Sequence, residues 1–166
     1  MNNYVNVIKG QPLIDIGRAA DMAWICFGDI IKVKNYKGEY VEKSSFALHL
    51  QCPWRMVDTV NKKILFTAYD MYLPNSSTEW TEDFDWDIQG INRYDEQAKK
   101  WFGDNKNIIV EEIELDELGD LKIILSNHYN IEVFVNKSNE TECWRFFEPG
   151  KDKEHFVMTG KGYSFQ

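Results

Sequence analysis

The stretch that decides the fold is Ser45-Phe46-Ala47-Leu48-His49-Leu50-Gln51-Cys52, in which apolar residues occupy every second position. An extended chain turns successive side chains to opposite faces, so this period of two predicts a β-strand that is half buried. One predicted face carries Phe46, Leu48, Leu50 and Cys52, and the other carries Ala47, His49 and Gln51. The next residue, Pro53, cannot donate to a strand ladder, so it ends the strand or kinks it at an edge.

Further strands are predicted on both sides of this one. Their apolar and β-branched runs are Met22–Val33, Ile64–Tyr69, Leu121–Leu125, Ile131–Val135, Cys143–Phe147 and Phe156–Met158. Residues 35–38 and 61–63 are predicted turns between them. The segment 126–130 contains Asn127 and Asn130, which tolerate left-handed backbone, and it predicts a hairpin. The stretch Leu13–Ala23 is compatible either with a helix or with a turn into a strand.

One segment shows the pattern of a helix. Asn92 is a capping residue, Asp95 follows it in the first turn, and Gly103 is a typical stop signal. Apolar side chains recur at helical spacing at Tyr94, Ala98 and Trp101. We therefore predict a helix over Arg93–Phe102, about residues 91–103 with its flanking signals.

These elements predict an α+β fold, mostly antiparallel β-sheet with one amphipathic helix packed on it. A chain of 166 residues without a Pro-, Gly- or Ser-rich linker favours a single domain over residues 1–166. A weak internal echo relates Cys52-Pro53-Trp54-Arg55 to Cys143-Trp144-Arg145. It leaves open two similar β lobes, at about residues 20–74 and 105–166.

The net charge of −8 is concentrated in the middle of the chain. Residues 1–74 carry +2, residues 75–120 carry −10, and residues 121–166 are neutral overall. Nucleic acid is an unfavourable partner for such a chain, because phosphate binding needs clustered Lys and Arg side chains. No apolar run approaches the ~20 residues of a membrane helix, so we expect no membrane partner. The charge favours a protein partner, and a basic one.

The predicted partner-binding segment lies within this acidic region. Aromatic residues alternate there with carboxylates, which is typical of an interface with apolar anchors and a charged rim. The predicted partner-binding residues are Glu79, Trp80, Glu82, Asp83, Asp85 and Trp86. A solvated, solubilising face has the same composition, and that alternative stays open. The oligomeric state is not predicted.

A second group of residues predicts a small-molecule site. Histidine and amide side chains on the polar strand face precede a tryptophan and an arginine at a proline break, and carboxylates from elsewhere would complete the group. The predicted members are His49, Gln51, Trp54, Arg55, Asp70 and Asp87. A structural role for His49 and an ion-paired role for Arg55 are the alternatives.

Two resemblances bear on function. Leu48-His49-Leu50-Gln51-Cys52-Pro53-Trp54-Arg55, with Gly17-Arg18 before it and Asp85-Trp86-Asp87 after it, resembles a family of small uncharacterised bacterial proteins with an L-H-x-Q-C-P-W-R signature. This resemblance implies a bacterial cytoplasmic protein and no particular mechanism. The later pattern of a hairpin, Glu142-Cys143-Trp144-Arg145 and His155-Phe156-Val157 is similar to small acidic bacterial proteins, some of them immunity proteins against polymorphic toxins.

Common catalytic motifs are missing from the sequence. It contains no H-E-x-x-H, G-x-G-x-x-G, P-loop or G-x-S-x-G pattern, so we assign no catalytic residue and expect no cofactor and no metal. Cys26, Cys52 and Cys143 form no C-x-x-C pair and are predicted to be buried free thiols. The start of the chain lacks a signal-peptide pattern, which predicts a cytoplasmic location. Together these features predict a non-enzymatic binding protein, with an immunity-type role as the leading hypothesis.

Overall fold

The fold consists of two antiparallel β-sheets with a single long α-helix among the described residues, which confirms the predicted α+β class. The computed structural model describes residues 2–166, and side chains from Tyr4 onward. A helical turn, α1, spans Asn2–Val5, and the long helix, α2, spans Arg93–Asp104. The strands are β1 Leu13–Ala19, β2 Met22–Lys34, β3 Tyr40–Leu50, β4 Trp54–Asp58, β5 Lys63–Thr67, β6 Val110–Leu115, β7 Leu121–Leu125, β8 Tyr129–Val133, β9 Glu142–Phe147, β10 Phe156–Thr159 and β11 Gly162–Phe165.

Each half of the chain supplies strands to both sheets. The six-stranded sheet has the order β1-β2-β3-β9-β10-β11, and the five-stranded sheet has the order β5-β4-β8-β7-β6. The chain crosses from the first sheet to the second between Leu50 and Trp54, at Pro53. The stretches 20–74 and 105–166 both contribute to both sheets, so neither forms a layer of its own. Their internal similarity stays a prediction.

The inner faces of the two sheets share one apolar core. Ile25 and Leu48 are cross-strand neighbours in the six-stranded sheet, and both are fully buried. Burial of one such side chain stabilises the folded state by roughly 1.5–3 kcal/mol. Trp144 is fully buried as well, and its Nε1–H donates to the carbonyl of Gly119 over 2.9 Å, so this large side chain leaves no unpaired polar atom.

Helix α2 begins as the sequence predicts and packs against the edge strands β1 and β5. The Asn92 side chain accepts the backbone N–H of Asp95 over 2.8 Å, as a capping residue does. The buried side chains are Tyr94, Ala98 and Trp101, the three predicted ones. The Tyr94 hydroxyl donates to the carbonyl of Gly17 in β1, over 3.1 Å. The helix therefore ties an edge of each sheet together.

The predicted stop at Gly103 is wrong, and the helix runs two residues beyond its predicted end at Phe102. The helix continues to Asp104 and is capped by Asn105, whose backbone N–H and side-chain amide both donate to the carbonyl of Trp101. Among the described residues, no helix combines the length and the apolar content needed to span a membrane.

Two strand predictions need correction. The predicted strand Ile64–Tyr69 ends at Thr67, because Thr67 and Asp70 form a capping box that starts a 3₁₀ turn at Ala68–Tyr72. In the connection between β7 and β8, the left-handed residues are Asn127 and His128. Asn130 lies in β8 and is buried, so only one of the two predicted asparagines makes the turn.

Two further segments contain edge strands: Leu13–Ala23, which the sequence left undecided, and the glutamate-rich stretch 111–117. Within Leu13–Ala23, the chain forms β1 and then a turn with φ of 50° at Ala20. Much of the acidic stretch 111–117 forms β6, in which exposed glutamates alternate with the buried Ile113 and Leu115. Buried and exposed residues thus alternate in β6, but its many glutamates make this pattern hard to recognise in the sequence.

Candidate functional site

The predicted partner-binding residues all lie in one long loop between β5 and α2. We call residues 74–92 the acidic loop. Its two ends meet, because Pro74 and Asn92 form a β-bridge and the backbone N–H of Asn75 donates to the carbonyl of Ile91 over 2.9 Å. Between the ends the chain forms no helix or strand. Connections of this length without regular structure are uncommon in compact domains and are often functional.

A buried arginine from β1 holds this loop in place. The Arg18 side chain is fully buried, and its Nη2 lies 3.2 Å from each of three consecutive loop carbonyls, those of Trp86, Asp87 and Ile88, which share its two N–H groups with Asp95. Its Nη1 also donates to the carboxylate of Asp87 over 3.1 Å. A planar guanidinium carries five donors in fixed directions, which suits it to satisfying several backbone acceptors at once.

The charge of Arg18 is balanced mainly by Asp95, in the first turn of α2. Nε and Nη2 donate to the two carboxylate oxygens over 2.8 and 2.9 Å, a two-point pairing. Burial by itself would lower the pKa of Arg18, and the hydrogen bonds and charges of Asp95 and Asp87 more than offset this, so the pKa is raised. The guanidinium therefore stays charged in its buried position.

The start of α2 gives the loop a second support. Asn92 is fully buried, and its Nδ2 donates to the carbonyl of Trp86 over 2.9 Å. The backbone N–H of Gly90 donates to the carboxylate of Asp95 over 2.7 Å. The backbone on the helix side of the loop is thus bound to side chains whose own positions are set by the strand β1 and the helix.

The outer side of the loop remains exposed. Trp80 is 69% exposed and packs only loosely on Phe84, with ring centroids 6.3 Å apart. Trp86 is half-buried and contacts the exposed Tyr72 edge to face at 5.0 Å. Ile88 is also exposed, so the loop presents a run of apolar groups to solvent.

Four carboxylates around these aromatic rings form no ion pair in the described part of the chain. Within residues 2–166, no ion pair involves Glu79, Glu82, Asp83 or Asp85, and all four are exposed. Asp87 differs from them, because its carboxylate binds Arg18. We call Glu79, Trp80, Glu82, Asp83, Phe84, Asp85 and Trp86 the acidic-aromatic surface. The six predicted partner-binding residues all belong to it.

The residues predicted as a small-molecule site are dispersed. Trp54 lies in the core, edge to face with Phe66 and Tyr94 at 5.9 and 5.8 Å. Arg55 pairs with Glu132 of the neighbouring strand over 2.6 Å.

The two carboxylates predicted for this site, those of Asp70 and Asp87, form ion pairs in other parts of the fold. Asp70 caps its own 3₁₀ turn and pairs with Arg93 over 3.1 Å, and Asp87 binds Arg18. Of the predicted group, the structure brings together only His49 and Gln51, on the outer face of the six-stranded sheet.

His49 lies beside residues that sequence reasoning did not associate with it. In β3 it is paired with Trp24 of β2 on one side and with Arg145 of β9 on the other. Its ring contacts Phe147 edge to face at 4.8 Å, and Phe147 stacks on His155 at 4.4 Å. The side-chain amide of Gln51 donates to the carboxylate of Glu142, which also accepts hydrogen bonds from Nε and Nη2 of Arg145. Alternation within each strand places these side chains on the outer face, but strand order alone makes them neighbours.

The cysteines are free thiols, as predicted, but only two of them are buried. Cys52 and Cys143 lie in the core, whereas Cys26 is half-buried on the outer face of β2. The described residues hold no group of three or more His, Cys, Asp or Glu side chains arranged to bind a metal ion.

No family model, curated protein or solved structure matches this chain. The resemblance to the L-H-x-Q-C-P-W-R family and the likeness to immunity proteins therefore stay predictions from the sequence.

Proposed function

We propose that this protein is a non-enzymatic binding protein that recognises a basic protein partner through the acidic-aromatic surface. One observation about the acidic loop carries the proposal. Buried Arg18 holds the loop backbone, while Trp80 and the carboxylates of Glu79, Glu82 and Asp83 face solvent, and these three carboxylates form no ion pair within the described residues. A surface that is ordered before binding loses less conformational entropy when a partner arrives.

The charge of the loop defines the class of partner. Residues 75–91 contain five acidic and no basic residues, and of these five only Asp87 forms an ion pair within the described part of the chain. Such a local field attracts Lys- and Arg-rich surfaces and accelerates their association, and it weakens as salt is added. Trp80 and Phe84 provide the apolar contact that a purely electrostatic surface lacks, because buried aromatic anchors dominate the energies of most interfaces.

An immunity-type role, neutralising a cognate toxin, is the specific form of this proposal. It combines the acidic-aromatic surface with the sequence likeness to immunity proteins, and it includes a cytoplasmic location. The alternative of a small-molecule protein with a site at His49, Trp54 and Arg55 loses support, because Trp54 lies in the core and Arg55 lies in the other sheet.

The test is affinity capture from a lysate of the source organism, followed by quantitative mass spectrometry. The bait is compared with the triple variant Glu82→Lys, Asp83→Lys and Asp85→Lys, which reverses three unpaired charges without touching the core. We expect a basic protein to bind the natural bait and to be lost, by about tenfold or more, from the variant. We expect its binding to weaken between low and physiological salt.

The matched control changes net charge by the same amount elsewhere. Glu117, Asp152 and Glu154 are exposed, and within residues 2–166 none of them is in an ion pair. Their triple replacement by Lys should leave capture of that basic protein unchanged. If both triple variants capture the same proteins as the natural bait, the acidic-aromatic surface is not the binding surface.

A growth assay separates immunity from binding in general. The captured partner is expressed in a bacterial host with and without this protein. If the partner arrests growth and the natural chain, but not the Glu82, Asp83 and Asp85 variant, restores it, the immunity role is supported. A loop-dependent partner that is not toxic contradicts immunity and leaves the binding function.

A further inference from the structure

A second concave site lies on the outer face of the six-stranded sheet, separate from the acidic loop. It is a groove of about 710 Å³, within the range of small-molecule sites. Trp24, Cys26, Ala47 and His49 form its floor, Phe147 and His155 form a wall, and the segment 148–151 covers it. No residue of the acidic loop lines it. We call this space the sheet groove.

The cover of the sheet groove is built into the fold. Gly150 has φ of 76° and lies so close to the long β2–β3 hairpin that a Cβ atom there would be 2.5 Å from Cβ of Val33. Only glycine permits both this backbone conformation and this approach. Glu148 binds Lys151 and Lys153, which holds the covering segment in a compact turn. The groove is therefore shaped before any ligand arrives.

The free hydrogen-bonding groups in the groove include two imidazoles and the buried hydroxyl of Ser44. Nδ1 of His155 lies 3.2 Å from Nη1 of Arg145, and a guanidinium only donates, so Nδ1 accepts and the ring proton is on Nε2. Nε2–H of His155 and both ring nitrogens of His49 have no hydrogen-bond partner in the described part of the chain. Burial first, and then the charge of Arg145, lower the pKa of both rings, with Glu142 opposing, so both are neutral at pH 7.

Most of the charged groups nearby are already paired. Arg145 binds Glu142 and Lys151 binds Glu148, whereas Asp15 accepts only the neutral indole N–H of Trp24, over 3.1 Å, and keeps its negative charge. At the rim, Glu42 and Lys43 carry opposite charges. Within the described residues, Asp15, Glu42 and Lys43 form no ion pair, and because their charges are mixed in sign the groove presents no single field that would select an ionic ligand. A ligand without net charge would lose no strong hydration on entering it.

The groove also presents flat aromatic surfaces. The Trp24 indole packs over Gly17, where a Cβ atom would lie 2.5 Å from the ring, so the indole is held against β1. Phe147 and His155 are nearly parallel, at 19°. Fixed aromatic planes favour stacking with another ring at centroid distances of roughly 4.5–7 Å.

We propose that the sheet groove binds an uncharged, planar heteroaromatic molecule of one or two fused rings, stacked on the aromatic wall and hydrogen-bonded by His49 and His155. Each neutral imidazole offers one donor and one acceptor, apart from the Nδ1 that Arg145 occupies. A heteroaromatic ring with both an N–H and a ring nitrogen complements these groups, whereas a hydrocarbon ring leaves them unpaired.

The test uses adenine and benzimidazole as probes, at pH 8, with NMR spectra of the intact protein. Each probe is titrated while the indole N–H signals of the tryptophans and the ring signals of the histidines are followed. We expect saturable shifts for Trp24, His49 and His155, and none for Trp80 in the acidic loop or for His128 in the β7–β8 turn. Cyclohexanecarboxamide, which has donors and an acceptor but no ring plane, should cause no saturable shift.

Single variants test the two imidazoles. His49→Ala and His155→Ala should each weaken adenine binding by about fivefold, the effect of one neutral hydrogen bond. His128→Ala is the matched control and should change nothing. Saturable shifts in the natural protein do not depend on the variants, so they remain decisive if a variant fails to fold. The proposal is overturned if neither probe causes saturable shifts at its solubility limit, or if shifts at His128 and Trp80 match those at His49.

Discussion

Arg18 and Asp95, 77 positions apart in the chain, form a two-point ion pair over 2.8 and 2.9 Å between strand β1 and the first turn of helix α2. The same Asp95 accepts the backbone N–H of Gly90, and the same Arg18 donates to the carbonyls of the loop. A carboxylate is also favourable at a helix amino terminus. One pair thus joins the strand, the helix and the loop that carries the proposed binding surface.

Removing the charge of Arg18 should destabilise the whole domain. In Arg18→Leu, the mostly buried Asp95 carboxylate loses its cationic partner and the loop carbonyls of Asp87 and Ile88 lose a donor, and we expect a loss of about 3–5 kcal/mol in the free energy of unfolding. Urea denaturation measures this loss. Limited proteolysis should show new cleavage within the acidic loop. The control is Arg55→Leu, whose ion pair is 41% exposed on the arginine side and should be worth less than about 1 kcal/mol. Equal losses for the two variants would contradict the role given to Arg18.

Trp80 should contribute to binding and not to folding. Its side chain is 69% exposed, so Trp80→Ala should change the free energy of unfolding by less than about 0.5 kcal/mol. Against the basic partner, the same variant should lose about 2 kcal/mol of binding free energy, as interface aromatic anchors do. Isothermal titration calorimetry measures the second value. Tyr36→Ala is the control, because Tyr36 is 92% exposed at the tip of a different hairpin. Unchanged affinity for the Trp80 variant would exclude it as an anchor.

The two groove histidines should make stability depend on pH. Their pKa values in the folded protein are lowered from 6.5 by burial and by Arg145, with Glu142 opposing. Below pH 6.5 the unfolded chain therefore binds more protons than the folded one, and stability falls as pH falls. Urea denaturation at pH 8, 6.5 and 5.5 should show this decline, and it should shrink in the double variant His49→Gln and His155→Gln. A decline of the same size in the double variant would assign it to other groups.

The three cysteines should differ in reactivity. Burial raises the pKa of Cys52 to about 12, and Cys143 is fully buried, so neither thiol should react in the folded protein. Cys26 is only half-buried, although burial raises its pKa as well, so it should react slowly. Labelling with an aromatic disulfide reagent should modify one thiol in buffer and three in guanidinium chloride. Cys26→Ser should abolish the reaction in buffer, and labelling of that variant would show that another thiol is accessible.

The sequence predicts local features of this fold well. Alternation and apolar runs identified β2, β3, β5, β7, β8, β9 and β10, and the cap at Asn92 located the start of α2. No strand was predicted at β4, β6 or β11, and β1 was left undecided; in β6 exposed glutamates dominate the composition. The end of α2 was misplaced because the helix is capped by Asn105, whose side-chain amide donates to the carbonyl of Trp101, and not by Gly103. The errors at β6 and at the end of α2 lie where charge or side-chain capping outweighs the apolar pattern.

For the candidate sites as well, the sequence predicted what lies within one segment and did not predict what distant segments bring together. The acidic loop is a continuous segment, so composition alone brought its six predicted residues together. The predicted group around His49 drew on distant positions, and the structure placed Trp54 in the core and Arg55 on the other sheet. The residues that do surround His49 are Trp24, Arg145, Phe147 and His155, which come from other strands.

By itself, the sequence determined which residues share a strand face, where the helix begins, and that one segment concentrates negative charge beside aromatic rings. These properties depend on neighbours within a few positions. The tertiary structure alone decided that Arg18 is buried beneath the acidic loop and that His49 is paired with Arg145, 96 positions later. Such contacts depend on the order of strands in each sheet, and a period of two carries no information about which strand lies next to which.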